Sequence, residues 1–222
     1  MLYDTARTVG SRVGRVLYRP TIEGLEHIPA SGPVILAANH LSFCDSVVIP
    51  LAVPRRIRFL AKAEYFSGTG VRGRMSRAAF TSLGAVPVER GRSGGALEAL
   101  EIGLRWLKDG GVFSIYPEGT RSPDGRLYRG RTGVAHLALT SGAPVVPVGL
   151  AGTERVQPIG ARLPRIAPVT VRFGAPLDFS AGYGDLRTGR ARRLVTDEVM
   201  AAVQRLTGQE EAGTYNDRAA GE

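Results

Sequence analysis

His40 and Asp45 carry the clearest chemical pattern in the chain, a histidine five residues before an aspartate in Asn39-His40-Leu41-Ser42-Phe43-Cys44-Asp45. A carboxylate on one imidazole nitrogen fixes the tautomer and leaves the other nitrogen free to take a proton from a hydroxyl. That is the base half of a catalytic triad without its serine. On a straight helix of about 3.6 residues per turn, side chains five apart point roughly 140° away from each other. The pair therefore meets only if His40 lies in a turn and Asp45 in the first turn of the next helix. On the residues alone, a packed loop histidine followed by an aspartate N-cap fits the same pattern.

Two further segments place polar groups after apolar runs. Gly84-Ala85-Val86-Pro87-Val88-Glu89-Arg90 ends in an arginine, and Val112-Phe113-Ser114-Ile115-Tyr116 runs into Pro117-Glu118-Gly119-Thr120-Arg121. A guanidinium fork donates two parallel hydrogen bonds to a phosphate and stays charged. Glu118 is placed to accept from a substrate hydroxyl or to hold Arg121, and Gly119 lets backbone come close to a ligand. Each has a plainer reading: Arg90 as a solvated strand end, and Glu118 with Arg121 as a surface ion pair worth under about 1 kcal/mol. What points to a site is that all three segments follow predicted strands, where open α/β sheets gather ligand groups.

The elements that must position these residues follow from pattern. The apolar run 33–38 reads as a buried strand that ends just before His40. Residues 55–62, 84–90, 112–116, 145–150 and 169–173 read as further strands, and 93–108, 133–140 and 186–206 as helices. Leu97, Leu100, Leu104 and Leu107 mark the apolar face of the helix over 93–108, and Asp109-Gly110-Gly111 stops it. Strands alternating with helices predict a single α/β domain with a largely parallel sheet, spanning residues 20–207. Gly68-Thr69-Gly70-Val71-Arg72-Gly73 matches the dinucleotide-binding glycine pattern but follows no buried strand, so it fails the context that motif requires. Residues 2–18 read as an amphipathic helix, with Leu2, Ala6, Val9, Val13 and Leu17 on one stripe and Arg7, Arg12 and Arg15 elsewhere. Such a helix lies in a membrane interface or docks on its own domain. The polar residues 208–222 read as a disordered tail.

Composition narrows the class. The 222 residues carry a formal charge of +9, and nearly all the cationic residues are arginine, which favours an anionic partner. There is no basic run or nucleic-acid motif, so phosphates or an anionic lipid surface suit the charge better than nucleic acid. The lone Cys44 permits no internal disulfide and suits a reducing compartment. His27 and His136 are the other histidines, and neither has short ligand spacing to His40, so no metal site is expected. No stretch has the length and apolarity of a membrane span or a signal peptide.

Asn39-His40-x-x-x-x-Asp45 resembles the first motif of the glycerolipid acyltransferases, which acylate lysophosphatidic acid and related acceptors. Gly84-x-Val86-Pro87-Val88-x-Arg90 is similar to their second motif, with Pro87 where phenylalanine is common. Tyr116-Pro117-Glu118-Gly119-Thr120-Arg121-Ser122 is similar to the third, with tyrosine for the usual phenylalanine, and Ala143-Pro144-Val145-Val146-Pro147-Val148 to the fourth. The order matches over roughly residues 21–176. The resemblance implies acyl transfer from acyl-CoA or acyl-carrier protein to a hydroxyl of lysophosphatidic acid. Another acceptor, such as glycerol 3-phosphate, another lysophospholipid or a glycolipid, would use the same base. It implies His40 as general base, Asp45 orienting it, and Arg90, Glu118, Gly119, Thr120 and Arg121 binding the acceptor. It implies no cofactor beyond the acyl donor, and peripheral work at the inner face of the cell membrane from the cytoplasm. A non-catalytic lipid-binding relative is the weaker alternative, since both His40 and Asp45 are present.

Overall fold

The computed structural model describes residues 19–88, 95–161, 163–183 and 187–217. The expected N-terminal helix over 2–18 and Arg90 lie outside these residues.

Among the described residues, seven strands form one sheet: β1 (Thr21–Glu23), β2 (Val34–Ala38), β3 (Ile57–Lys62), β4 (Ala85–Val88), β5 (Val112–Ile115), β6 (Val145–Ala151) and β7 (Thr170–Phe173). Their order is β1-β7-β6-β2-β5-β3-β4. Strands β2 to β6 run parallel, whereas β7 is antiparallel to β6 and carries β1 alongside it. The expected single α/β domain with a largely parallel sheet is what the chain builds. The helices are α1 (Asp45–Ala52), α2 (Gly70–Ser82), α3 (Gly95–Lys108), α4 (Gly133–Ser141), the single turn α5 (Thr153–Val156) and α6 (Thr188–Thr207).

Strand β2 sits mid-sheet, and all five of its residues are buried. Parallel strands covered on both faces read as continuous apolar runs rather than alternating ones, and Val34-Ile35-Leu36-Ala37-Ala38 is such a run. Val34, Leu36 and Ala38 pack on one face with Ile49 and Val53 at the end of α1. Ile35 and Ala37 pack on the other face with Leu107 of α3, Val134 and Leu137 of α4, and Val195 and Val199 of α6. Burying one such side chain contributes about 1.5–3 kcal/mol. The strand that delivers His40 is thus held by core packing on both faces.

Two local features depart from expectation. The glycine pattern at 68–73 opens α2, a helix that no sequence pattern marks. Gly68 and Gly73 are needed because their backbones touch: a Cβ on Gly73 would run into the Gly68 carbonyl. Pro87 stands on β4, the edge strand, where a missing N–H costs no interior ladder bond.

The C-terminal expectation requires correction. Residues 208–217 are not a loose tail but lie bonded along residues 121–131. Polar composition suggested disorder, but here it supplies hydrogen bonds to a loop that is itself polar.

Candidate active site

Asp45 opens α1 five residues after His40, and its Oδ2 closes the turn between them. That oxygen accepts from His40 Nδ1 at 2.8 Å and from the backbone N–H groups of Leu41 at 2.7 Å and Ser42 at 2.8 Å. An acidic residue in a first helical turn is favoured by the helix dipole, so local energetics place the carboxylate where the imidazole needs it. Asp45 is 0% and His40 8% exposed. With Nδ1 occupied as donor, Nε2 is the nitrogen left to accept a proton. The tautomer is set by a buried charge, as the sequence pattern anticipated.

His40 is also held from behind. The Tyr116 ring stacks on the imidazole, with centroids 3.9 Å apart and planes 10° from parallel. The Tyr116 hydroxyl bonds the Ser46 hydroxyl at 3.2 Å. Burial, with the Asp45 charge added, keeps that phenol well above its usual pKa and therefore neutral. Asn39 locks the other side: Oδ1 accepts from Leu150 N–H at 2.8 Å and Nδ2 donates to the Leu150 carbonyl at 2.9 Å. This ties the end of β2 to the end of β6.

Glu118 is not free for a substrate hydroxyl or for Arg121. It is 1% exposed, and its Oε1 accepts the backbone N–H of His40 at 2.8 Å while Oε2 accepts that of Tyr128 at 3.0 Å. It works as a buried clamp that joins the base to the loop 117–131. Burial pushes its pKa up to about 7, against the lowering pull of the two N–H bonds and with smaller raising effects from the charges of Asp45 and Asp124. Gly119 is exposed with φ 82°, a left-handed turn in which a Cβ would crowd the Arg131 side chain. Thr120 and Arg121 follow it, both half-buried. Among the described residues, no hydrogen bond or ion pair holds the Arg121 guanidinium, so it is available to an anion. Its backbone is fixed instead: Ser122 N–H donates to the His40 carbonyl at 2.7 Å, and Asn216 Nδ2 donates to the Arg121 carbonyl at 3.0 Å.

The turn cannot supply most of its own N–H groups to an oxyanion. Those of His40, Leu41, Ser42, Cys44, Asp45 and Ser46 are all spent on bonds within the protein. Cys44 is half-buried, and burial raises its thiol pKa, so it carries little thiolate character. The other histidines stand elsewhere, His27 Nδ1 on the Phe173 carbonyl of β7 and His136 beside Arg192 of α6. The structure joins His40 to Asp45 as the sequence spacing allows, and places Arg121 with its side chain unpaired among the described residues. Asn39 and Tyr116 stand in the sequence motifs without a role, and Tyr128, Gln209 and Asn216 carry no signal there, because each acts through a partner remote in sequence.

The Acyltransferase family model matches residues 19–151. The chain is 33% identical over 145 residues to the chloroplastic 1-acyl-sn-glycerol-3-phosphate acyltransferase of Brassica napus, covering 65% of this chain and 40% of that protein. It is 34% identical over 145 residues to the chloroplastic enzyme of the same name from Arabidopsis thaliana, covering 65% and 39%. The chain thus spans about two fifths of the length of these curated relatives. The crystal structure of the 1-acyl-sn-glycerophosphate acyltransferase from Thermotoga maritima superposes with a TM-score of 0.64 at 25% identity, covering 93% of this chain and 84% of that one.

Proposed function

The chain belongs to the acyltransferase family, and from that premise we propose that it transfers an acyl group from a thioester to the free hydroxyl of a 1-acyl-sn-glycerol 3-phosphate, giving phosphatidic acid. The observation that carries this reading is the buried Asp45–His40 pair, whose Nδ1 is spoken for and which lies at the C-terminal edge of the parallel strands. In the reaction, Nε2 takes the acceptor's hydroxyl proton as the oxygen attacks the thioester carbon. Asp45 stabilises the imidazolium that forms. Collapse of the tetrahedral intermediate breaks the C–S bond, and the imidazolium returns its proton to the departing thiolate. The hydroxyl attacks directly, so no acyl-enzyme forms.

The free guanidinium of Arg121 receives the acceptor's phosphate, with Arg90 as a second contact and Gly119 and Thr120 lining the approach. The donor is acyl-CoA or acyl-carrier protein. No helix among the described residues is long and apolar enough to cross a membrane. Both acceptor and product are lipids, so the site works at a bilayer surface, and residues 2–18 supply the contact on the cytoplasmic face. Loss of sedimentation with anionic vesicles on removing residues 1–19 checks that contact; unchanged sedimentation of the folded, truncated protein rules it out.

The deciding assay incubates purified protein with labelled acyl-CoA, or acyl-carrier protein, and a panel of hydroxyl acceptors, with products resolved by mass. Phosphatidic acid from the lysophosphatidic acceptor is the expected product. Preferential acylation of glycerol 3-phosphate or of an acceptor without phosphate would refute the acceptor assigned here, and no transfer to any acceptor would refute the activity.

A further inference from the structure

Helix α6 is capped by Gly208, whose φ of 66° turns the chain out of the helix. The residues that follow run beside the loop carrying Arg121. Leu127 N–H donates to the Glu210 carbonyl, Ala212 N–H to the Leu127 carbonyl, and Arg129 N–H to the Thr214 carbonyl, each at 2.9 Å. The two ends of this strap reach the two halves of the site. At the near end, Gln209 Oε1 accepts from Asn39 Nδ2 at 2.9 Å, beside the base, and Gln209 Nε2 donates to the Gly125 carbonyl at 2.6 Å. At the far end, Asn216, 4% exposed, donates to the Arg121 carbonyl at 3.0 Å. The Tyr215 ring lies under the guanidiniums of Arg129 and Arg131, and Asp217 pairs with Arg131 at 3.1 Å.

Arg121 is therefore held by its backbone on two sides while its side chain is left free. Ser122 N–H ties it to the His40 carbonyl, and Asn216 ties it to the strap. A guanidinium on a fixed backbone meets a phosphate with less ordering cost than one on a loose loop, because the ordering is done before binding. We infer that Asn216 is a positioning residue for the acceptor: the strap 208–217 fixes Arg121 at a set distance from the His40 base and so determines affinity for a phosphate-bearing acceptor. This rests on the reading that Arg121 binds that phosphate. Asn216 touches no reacting atom; it acts through Arg121.

The test is steady-state kinetics on the full chain with two short-chain acceptors, a lysophosphatidic acid and the matching monoacylglycerol that lacks phosphate. Loss of one buried hydrogen bond predicts that Asn216→Ala raises KM for the phosphorylated acceptor by about 3- to 10-fold. Its kcat, the donor KM and the kinetics on monoacylglycerol should stay at parent values. Asn216→Asp keeps the volume, removes the donor, and should give the same split if the alanine variant does not fold. In an Arg121→Ala background, adding Asn216→Ala should raise KM no further, since there is no guanidinium left to position. Equal losses on both acceptors, a fall confined to kcat, or full additivity with Arg121→Ala would show that the strap only supports the fold. If Arg121→Ala alone leaves KM for the phosphorylated acceptor unchanged, the phosphate reading fails and the inference falls with it.

Discussion

The His40 ring nitrogen is fixed from five positions away, for a single Asp45 oxygen takes it together with the N–H groups of Leu41 and Ser42. Arg121 is set from far away, by the carbonyl of His40 and by an asparagine 95 residues further on. The base turn is short and follows a strand whose five residues are all buried, with the Tyr116 ring behind it. The phosphate arm is a loop whose position is assembled by several segments, with Glu118 as the clamp between the two halves. Proton transfer needs one fixed geometry, which the Asp45 bond and the Tyr116 ring behind the imidazole supply. Acceptor affinity, in contrast, is open to adjustment from any segment that touches the loop. Mutations should therefore separate turnover from acceptor affinity according to which half they strike.

The largest effect is expected at the base turn. His40→Ala should lower kcat by roughly 10²- to 10⁴-fold, the usual worth of a general base, with circular dichroism and acceptor binding like the parent's. Asp45→Asn should follow in the same direction, since a carboxamide keeps the shape but cannot stabilise an imidazolium by charge. If either variant weakened acceptor binding while leaving turnover intact, the division between the halves would be wrong.

The clamp should show itself in stability against pH. Glu118 is an acid whose folded pKa, about 7, lies above its ordinary value of 4.5, so the folded state holds the proton more tightly than the unfolded chain. Its contribution is fully present below about pH 4.5 and is lost as pH rises through 7. The shift corresponds to something on the order of 3 kcal/mol across that window. Thermal melts from pH 5.5 to 8 should thus show the parent losing stability with rising pH, and Glu118→Gln, which cannot ionise, showing a flatter profile. Glu118→Gln should also be less stable at pH 5.5, because its amide NH2, which cannot accept, would face one of the two N–H donors that the carboxyl oxygens meet. Parallel profiles for the two proteins would mean that Glu118 ionises without cost, and the clamp would then be weaker than its burial implies.

The same contrast explains what the sequence made legible. His40 with Asp45 could be read because spacing, an apolar run and a helix start all lie within about a dozen residues. Strand β2 was legible because a strand buried on both faces has to be apolar throughout. Glu118 was seen as a site residue, but its partners were not, since nothing near it in sequence shows that its oxygens turn to His40 and Tyr128. Gln209 and Asn216 sit in a stretch whose polarity reads as disorder, and only the fold shows that their amides meet Asn39 and Arg121. Helix α2 was hidden by its glycines, which serve a close backbone contact and not a phosphate.

Tyr116 touches both halves, and it offers the smallest and sharpest test. It begins the loop that leads to Glu118, yet its ring lies flat on His40 and its hydroxyl reaches Ser46 on α1. The 3.2 Å bond between two hydroxyls is the weaker tie, worth about 0.5–1.5 kcal/mol at most. The stack is the tie that orients the base, and a phenyl ring preserves it. Tyr116→Phe should therefore cost about 1 kcal/mol or less in stability and leave both kcat and acceptor KM close to the parent's. Tyr116→Leu keeps an apolar side chain but removes the flat support, so it should lower kcat while leaving acceptor KM alone. The ring belongs by sequence to the phosphate arm and by contact to the base. If Tyr116→Leu raised KM and spared kcat, its place in the chain would matter more than its contact with His40, and the two halves would not be divided as drawn here.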